Sequence, residues 1–134
     1  MNKHQEETCK RVREASEEIQ DVLALTDWRV RWEWHPSPMG SEEGDDMEAS
    51  TASCVTKAFW KYRDVTFHCY LQALGTTSDE GLFFIMLHEW VHVLTSGWFP
   101  YFKSGSHVED MIERITEDLT RALMAALGRD LPED

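Results

Sequence analysis

Residues Leu82 to Gly97 read LFFIMLHEWVHVLTSG, and at the centre of this stretch stands His88-Glu89-Trp90-Val91-His92, an H-E-x-x-H pattern. On a helix, residues four apart share a face with Cβ atoms about 5–6 Å apart, so both imidazoles reach one metal ion. Glu89 follows the first histidine by one residue, and its carboxylate reaches a water in the site without taking a coordination position. Ligands and base thus come from one short segment. Apolar residues from Leu82 to Leu94 surround them on every turn, so the helix is expected to be buried. Polar groups buried without partners are costly, and a bound cation with an ordered water satisfies both histidines and the glutamate.

The same stretch carries its own boundaries. Thr77 with Glu80 as a capping box, or Ser78 as N-cap, starts the helix, and Gly97 at C′ ends it, which brackets it at about 78–96. Upstream, Ala49 to Tyr62 and Val65 to Leu71 read as two strands, with Arg63-Asp64 as a tight turn between them. Trp28 to His35 alternates Trp28, Val30, Trp32 and Trp34 with polar residues, a half-buried strand that Pro36 and Pro38 terminate. His35 and His68 fall on the polar sides of their strands and read as surface histidines. Between the strands, SPMGSEEGDDME at 37–48 has the composition of a loop. Its acids lack the spacing of an EF-hand, so calcium is set aside. The chain opens with a helix from about Glu6 to Leu25, apolar at three- and four-residue spacing.

Downstream, the loop WFPYFKSGS leads to Ser106 and Glu109, a second capping box that opens a helix from His107 to about Leu127. Its apolar face runs through Val108, Met111, Ile112, Ile115 and Leu119, and Gly128 and Pro132 close it. The expected fold is one α+β domain over residues 1–134. It comprises an N-terminal helix, a small, mostly antiparallel sheet of about three strands, the buried metal-binding helix and a C-terminal helix with the third ligand.

Composition narrows the partners. With 25 acidic residues against 13 basic ones the formal charge is −12, so nucleic-acid backbone and anionic membranes are expected to repel the protein. Neither an apolar leader after Met1 nor a stretch of membrane-spanning length is present in the sequence, and the expected location is cytoplasmic. Cys9, Cys54 and Cys69 are odd in number and contain no C-x-x-C, which fits free thiols rather than a disulfide framework or zinc ribbon.

Catalytic zinc generally takes three protein ligands and leaves a fourth position open. The longer metzincin pattern needs Gly at 95 and His at 98, where this chain has Thr95 and Trp98. The deaminase P-C-x-x-C and the inverted H-x-x-E-H are also absent. What remains is a carboxylate on a following helix. Glu109, Glu113, Glu117 and His107 all lie there, with Glu109 already occupied as a capping partner and His107 at the helix start.

The pairing of this helix with Glu113-Arg-Ile-Thr-Glu117-Asp-Leu-Thr-Arg-Ala-Leu123 resembles the small gluzincin-like metallopeptidases of phage and prophage genomes. Specific motif matches cover His88 to Leu123, and the order of elements runs similarly across the chain. The resemblance implies a zinc peptidase with one Zn2+ per chain, a peptide or protein substrate, and the cytoplasm of a bacterial host as location. It also implies that Glu113 binds zinc beside His88 and His92 while Glu117 hydrogen-bonds a ligand histidine. Zinc would then acidify a water and polarise the scissile carbonyl, with Glu89 as general base and then acid. Tyr101 or His107 is the candidate oxyanion stabiliser. The competing reading is an acidic phage-type binding protein whose zinc is only structural, for which Glu89 has no role.

Overall fold

The computed structural model describes residues 1–36, 53–97 and 105–132. Among these residues, four helices and a three-stranded mixed sheet make an α+β fold. Helix α1 (Lys3–Val22) begins earlier than its apolar periodicity predicts, because Asn2 and Gln5 form a reciprocal capping box. It buries Thr8, Cys9, Val12, Ser16 and Ile19, while Val22 is exposed. At its end Ala24 takes a left-handed conformation (φ 56°), Leu25 N–H donates to Gln20 O at 2.8 Å, and Ala24 N–H donates to Asp21 O at 3.3 Å. These are the two bonds of a Schellman motif, with alanine where glycine is usual.

Strands β1 (Arg29–His35), β2 (Cys54–Phe59) and β3 (Asp64–Tyr70) lie in the order β1-β3-β2. The sheet is mixed rather than mostly antiparallel: β1 runs parallel to β3, and β2 runs antiparallel to it. Alternation along β3 is as expected, with Val65, Phe67 and Cys69 buried. The β2–β3 connection is not the two-residue turn expected at Arg63-Asp64. Trp60–Tyr62 forms a 3-10 turn, Arg63 is left-handed (φ 53°), and Phe59 pairs with Asp64. Leu71, expected in the strand, instead starts the short helix α2 (Leu71–Leu74). On the sheet's outer face His35 and His68 are half-buried and bonded to each other (Nε2 to Nδ1, 3.1 Å), and His68 Nε2 stands 3.1 Å from Glu33. Burial lowers the His68 pKa, against the pull of Glu33.

Helix α3 (Asp79–Thr95) packs against α1, β2 and α4 (Ser106–Ala126), which is why its sequence is apolar on every turn. Ser78 is the N-cap and accepts from Gly81 N–H at 3.1 Å. Trp90, fully buried, donates its indole N–H to Ser16 Oγ of α1 at 2.9 Å and meets Phe67 of β3 edge-on, with centroids 5.2 Å apart. One side chain thus joins helix, helix and sheet. Gly97 stands at C′, after the C-cap Ser96, as expected, though without a positive φ; a Cβ there would come within 2.9 Å of Trp60 Nε1, so the position is kept small by the overlying indole.

Helix α4 also departs from expectation at its start. Gly105 occupies the N-cap position without a side-chain cap bond, and Ser106 takes the first helical position. Glu109 therefore falls one residue beyond the capping-box position and is not a capping partner. The buried line of α4 is Thr116, Thr120 and Met124, with Ile112 and Leu123 half-buried, whereas Met111, Ile115 and Leu119 face solvent. Gly128 (φ 70°) closes the helix in a second Schellman motif. Among the described residues no helix is long and apolar enough to cross a membrane.

Candidate metal centre

The i, i+4 spacing on α3 brings the rings of His88 and His92 to 4.9 Å between centroids at 77°. Opposite them, α4 presents Glu113, whose Oε1 lies 2.9 Å from His92 Nε2 and whose Oε2 lies 3.5 Å from His88 Nε2. One ligand atom from each of these three residues lies within 4.8 Å of the others, a group that could hold a metal ion. Two imidazole nitrogens and a carboxylate oxygen suit a divalent transition metal. Among the described residues no fourth ligand joins them, and the open cleft on their remaining side matches a three-ligand site better than a closed four-ligand one.

Glu117, one turn after Glu113, stands on the far side of the same histidine, with Oε2 3.3 Å from His88 Nδ1. Its other oxygen accepts from Arg121 Nε at 3.2 Å. A histidine held at Nδ1 by a carboxylate presents Nε2 to an ion in a fixed orientation.

Glu89 meets β2, where its Oε1 accepts a 2.5 Å hydrogen bond from the Thr56 hydroxyl. Burial pushes its pKa up to about 7, against the lowering influence of the Thr56 bond, and the nearby charge of Glu113 pushes it further up. Burial also lowers the His92 pKa, which Glu113 partly counters. A histidine kept neutral in this way has its lone pair free for a cation near neutral pH.

His88, Glu89, His92 and Glu113 line an open cleft of about 590 Å³ together with Cys54, Val55, Thr56 and Ala58 of β2. Cys54, Thr56 and Ala58 share one face of β2, and Val55 of the other face lines the cleft as well, so the cleft reaches the edge of the strand. Among the described residues the edge of β2 away from β3 has no strand partner, and such an edge is open to an added strand.

His88, Glu89, His92, Glu113 and Glu117, all singled out from the sequence, therefore stand together. His107 is exposed in the first turn of α4 and outside the metal-binding group. Tyr101 and the acidic segment 37–48 lie outside the described residues. Thr56 is the participant that sequence reasoning missed, since nothing in a Thr-rich strand marks which hydroxyl will meet a carboxylate from a helix. Comparison of the chain with protein-family models, curated proteins and solved structures finds no match.

Proposed function

We propose that this protein is a zinc-dependent peptidase of the gluzincin-like, minimal zincin type, acting on peptides or proteins. The observation that carries the reading is the position of Glu89: a buried carboxylate, beside a two-histidine, one-glutamate group, facing an open cleft bordered by a strand edge that has no partner among the described residues. His88, His92 and Glu113 would hold the ion, and Glu117 would orient His88. Zinc, when bound, supplies Lewis-acid chemistry, acidifying water and polarising a carbonyl.

The chain's own residues do the rest. The β2 edge binds an extended peptide by main-chain hydrogen bonds and aligns it along the cleft. Glu89 takes a proton from the attacking water and delivers it to the leaving amine, a role suited to a carboxyl whose pKa lies near neutrality. Thr56 holds that carboxylate at a fixed place in the wall.

Metal analysis of the purified protein, combined with a peptide-library cleavage screen of wild type and Glu89→Gln, tests the proposal. One zinc per chain, with cleavage in wild type and none in a Glu89→Gln protein that still binds zinc, is the expected result. Zinc bound equally by both proteins with no cleavage by either would favour the structural-zinc reading. Cleavage confined to non-peptide amides would move the substrate class.

A further inference from the structure

Apart from the metal-binding group, a pair of thiols stands at the cleft, one in its wall and one behind it. Cys54 of β2 and Cys69 of β3 are register partners, with Sγ atoms 3.7 Å apart and in contact. Tyr70 N–H donates to Ser53 O at 3.0 Å, which makes Ser53 and Tyr70 a hydrogen-bonded pair. By the alternation of an antiparallel ladder, Cys54 and Cys69 are then a non-hydrogen-bonded pair, where Cα atoms approach to about 4.5 Å. That separation lies inside the range of about 4.4–6.8 Å spanned by disulfides. Side-chain rotation can therefore bring the sulfurs to bonding distance with the strands left in register.

Access differs between the two thiols. Cys54 lines the cleft, whereas Cys69 is fully buried behind it. We propose that Cys54 and Cys69 form a dithiol–disulfide couple, closed by a low-molecular-weight disulfide such as oxidised glutathione entering through the cleft. The Cys54 thiolate attacks one sulfur of the oxidant, forming a mixed disulfide and releasing the first small thiol. Cys69 then loses its proton and attacks Cys54 Sγ, which forms the Cys54–Cys69 bond and expels the second small thiol. The protein loses two hydrogens, and the oxidant leaves as two reduced thiols. The bond to Cys69 and burial push the Cys54 thiol up, so closure is slow at neutral pH and accelerates as pH rises. The product cross-links the edge strand carrying Thr56 to the centre of the sheet.

The couple does not depend on whether the cleft hydrolyses peptides, and its test uses no activity. The full chain is incubated with oxidised glutathione at mildly alkaline pH, quenched with acid, denatured and alkylated. Free thiols should fall from three to one, the intact mass should drop by two hydrogens, and a digest should yield a Cys54–Cys69 cross-link that dithiothreitol reverses. Cys54→Ser and Cys69→Ser should each abolish that product. If Cys69→Ser fails to fold, Cys54→Ser at the cleft surface carries the comparison. Three thiols left free, a glutathione adduct that never closes, or a cross-link through Cys9 would overturn the proposal.

Discussion

Glu89 and His92 titrate in opposite senses, and their signs separate them. A carboxyl whose pKa is raised on folding contributes stability that is full below its ordinary value of 4.5 and is lost as pH rises through about 7. His92, lowered from 6.5, contributes stability that is present above that value and lost as pH falls below it. In chelator-treated protein, the stability of wild type relative to Glu89→Gln should therefore decline between about pH 4.5 and 7, by about 3 kcal/mol. His92 is common to both proteins and cancels. Urea unfolding across that range checks this, and a flat difference would mean that Glu89 is not buried as described. At the ligands, Glu113→Ala is expected to lose zinc outright, whereas Glu117→Ala should weaken binding by about 10–100-fold. Calorimetric zinc titration distinguishes them; the reverse ranking would exchange the two roles.

At the scale of elements, the ends of α1 and α3 provide two measurable contributions. Ser78→Ala removes the hydroxyl that accepts from Gly81 N–H and should cost about 1 kcal/mol, seen as a lower urea midpoint. Ala24→Gly relieves a left-handed alanine and should add up to about 1 kcal/mol, provided the Schellman bonds persist. The metal helix was legible in the sequence because H-E-x-x-H inside an apolar run constrains both chemistry and burial. Glu113 and Glu117 stand beside it as the family resemblance implied; spacing alone does not single them out, since Glu109 and Glu113 are also four apart. Other features needed tertiary information. Ser106 and Glu109 have capping-box spacing, but the chain enters α4 one residue earlier, at Gly105. Thr116 and Thr120 pass for polar surface, yet each returns its hydroxyl to a carbonyl one turn back and is buried. The direction of β1 was hidden because strand alternation is the same in parallel and antiparallel pairs. The Thr56–Glu89 contact depends on how β2 is set against α3, which periodicity does not encode.

For the molecule as a whole, an ion held by His88, His92 and Glu113 would link two helices that otherwise meet along a narrow line. A ligand that binds only the folded state at 100 times its dissociation constant adds about 2.7 kcal/mol, so chelation should lower the thermal midpoint by several degrees. An unchanged midpoint after verified metal removal would count against that linkage. The narrowness of the line has a further consequence for motion. Toward its C-terminal end α4 is anchored by fully buried Met124 and by Arg129, whose guanidinium lies 3.6 Å from the Phe83 ring centroid and pairs with Glu18. Toward its N-terminal end the described contacts thin out, and Met111 and Ile115 are 39% and 45% exposed. Local opening should therefore begin at the Glu109 end and travel toward Met124. Backbone amide exchange in metal-free protein should show a gradient of protection along α4, slowest near Met124. Added zinc should slow exchange most around Glu113, turning a frayed half-helix into part of the same cooperative unit as α3.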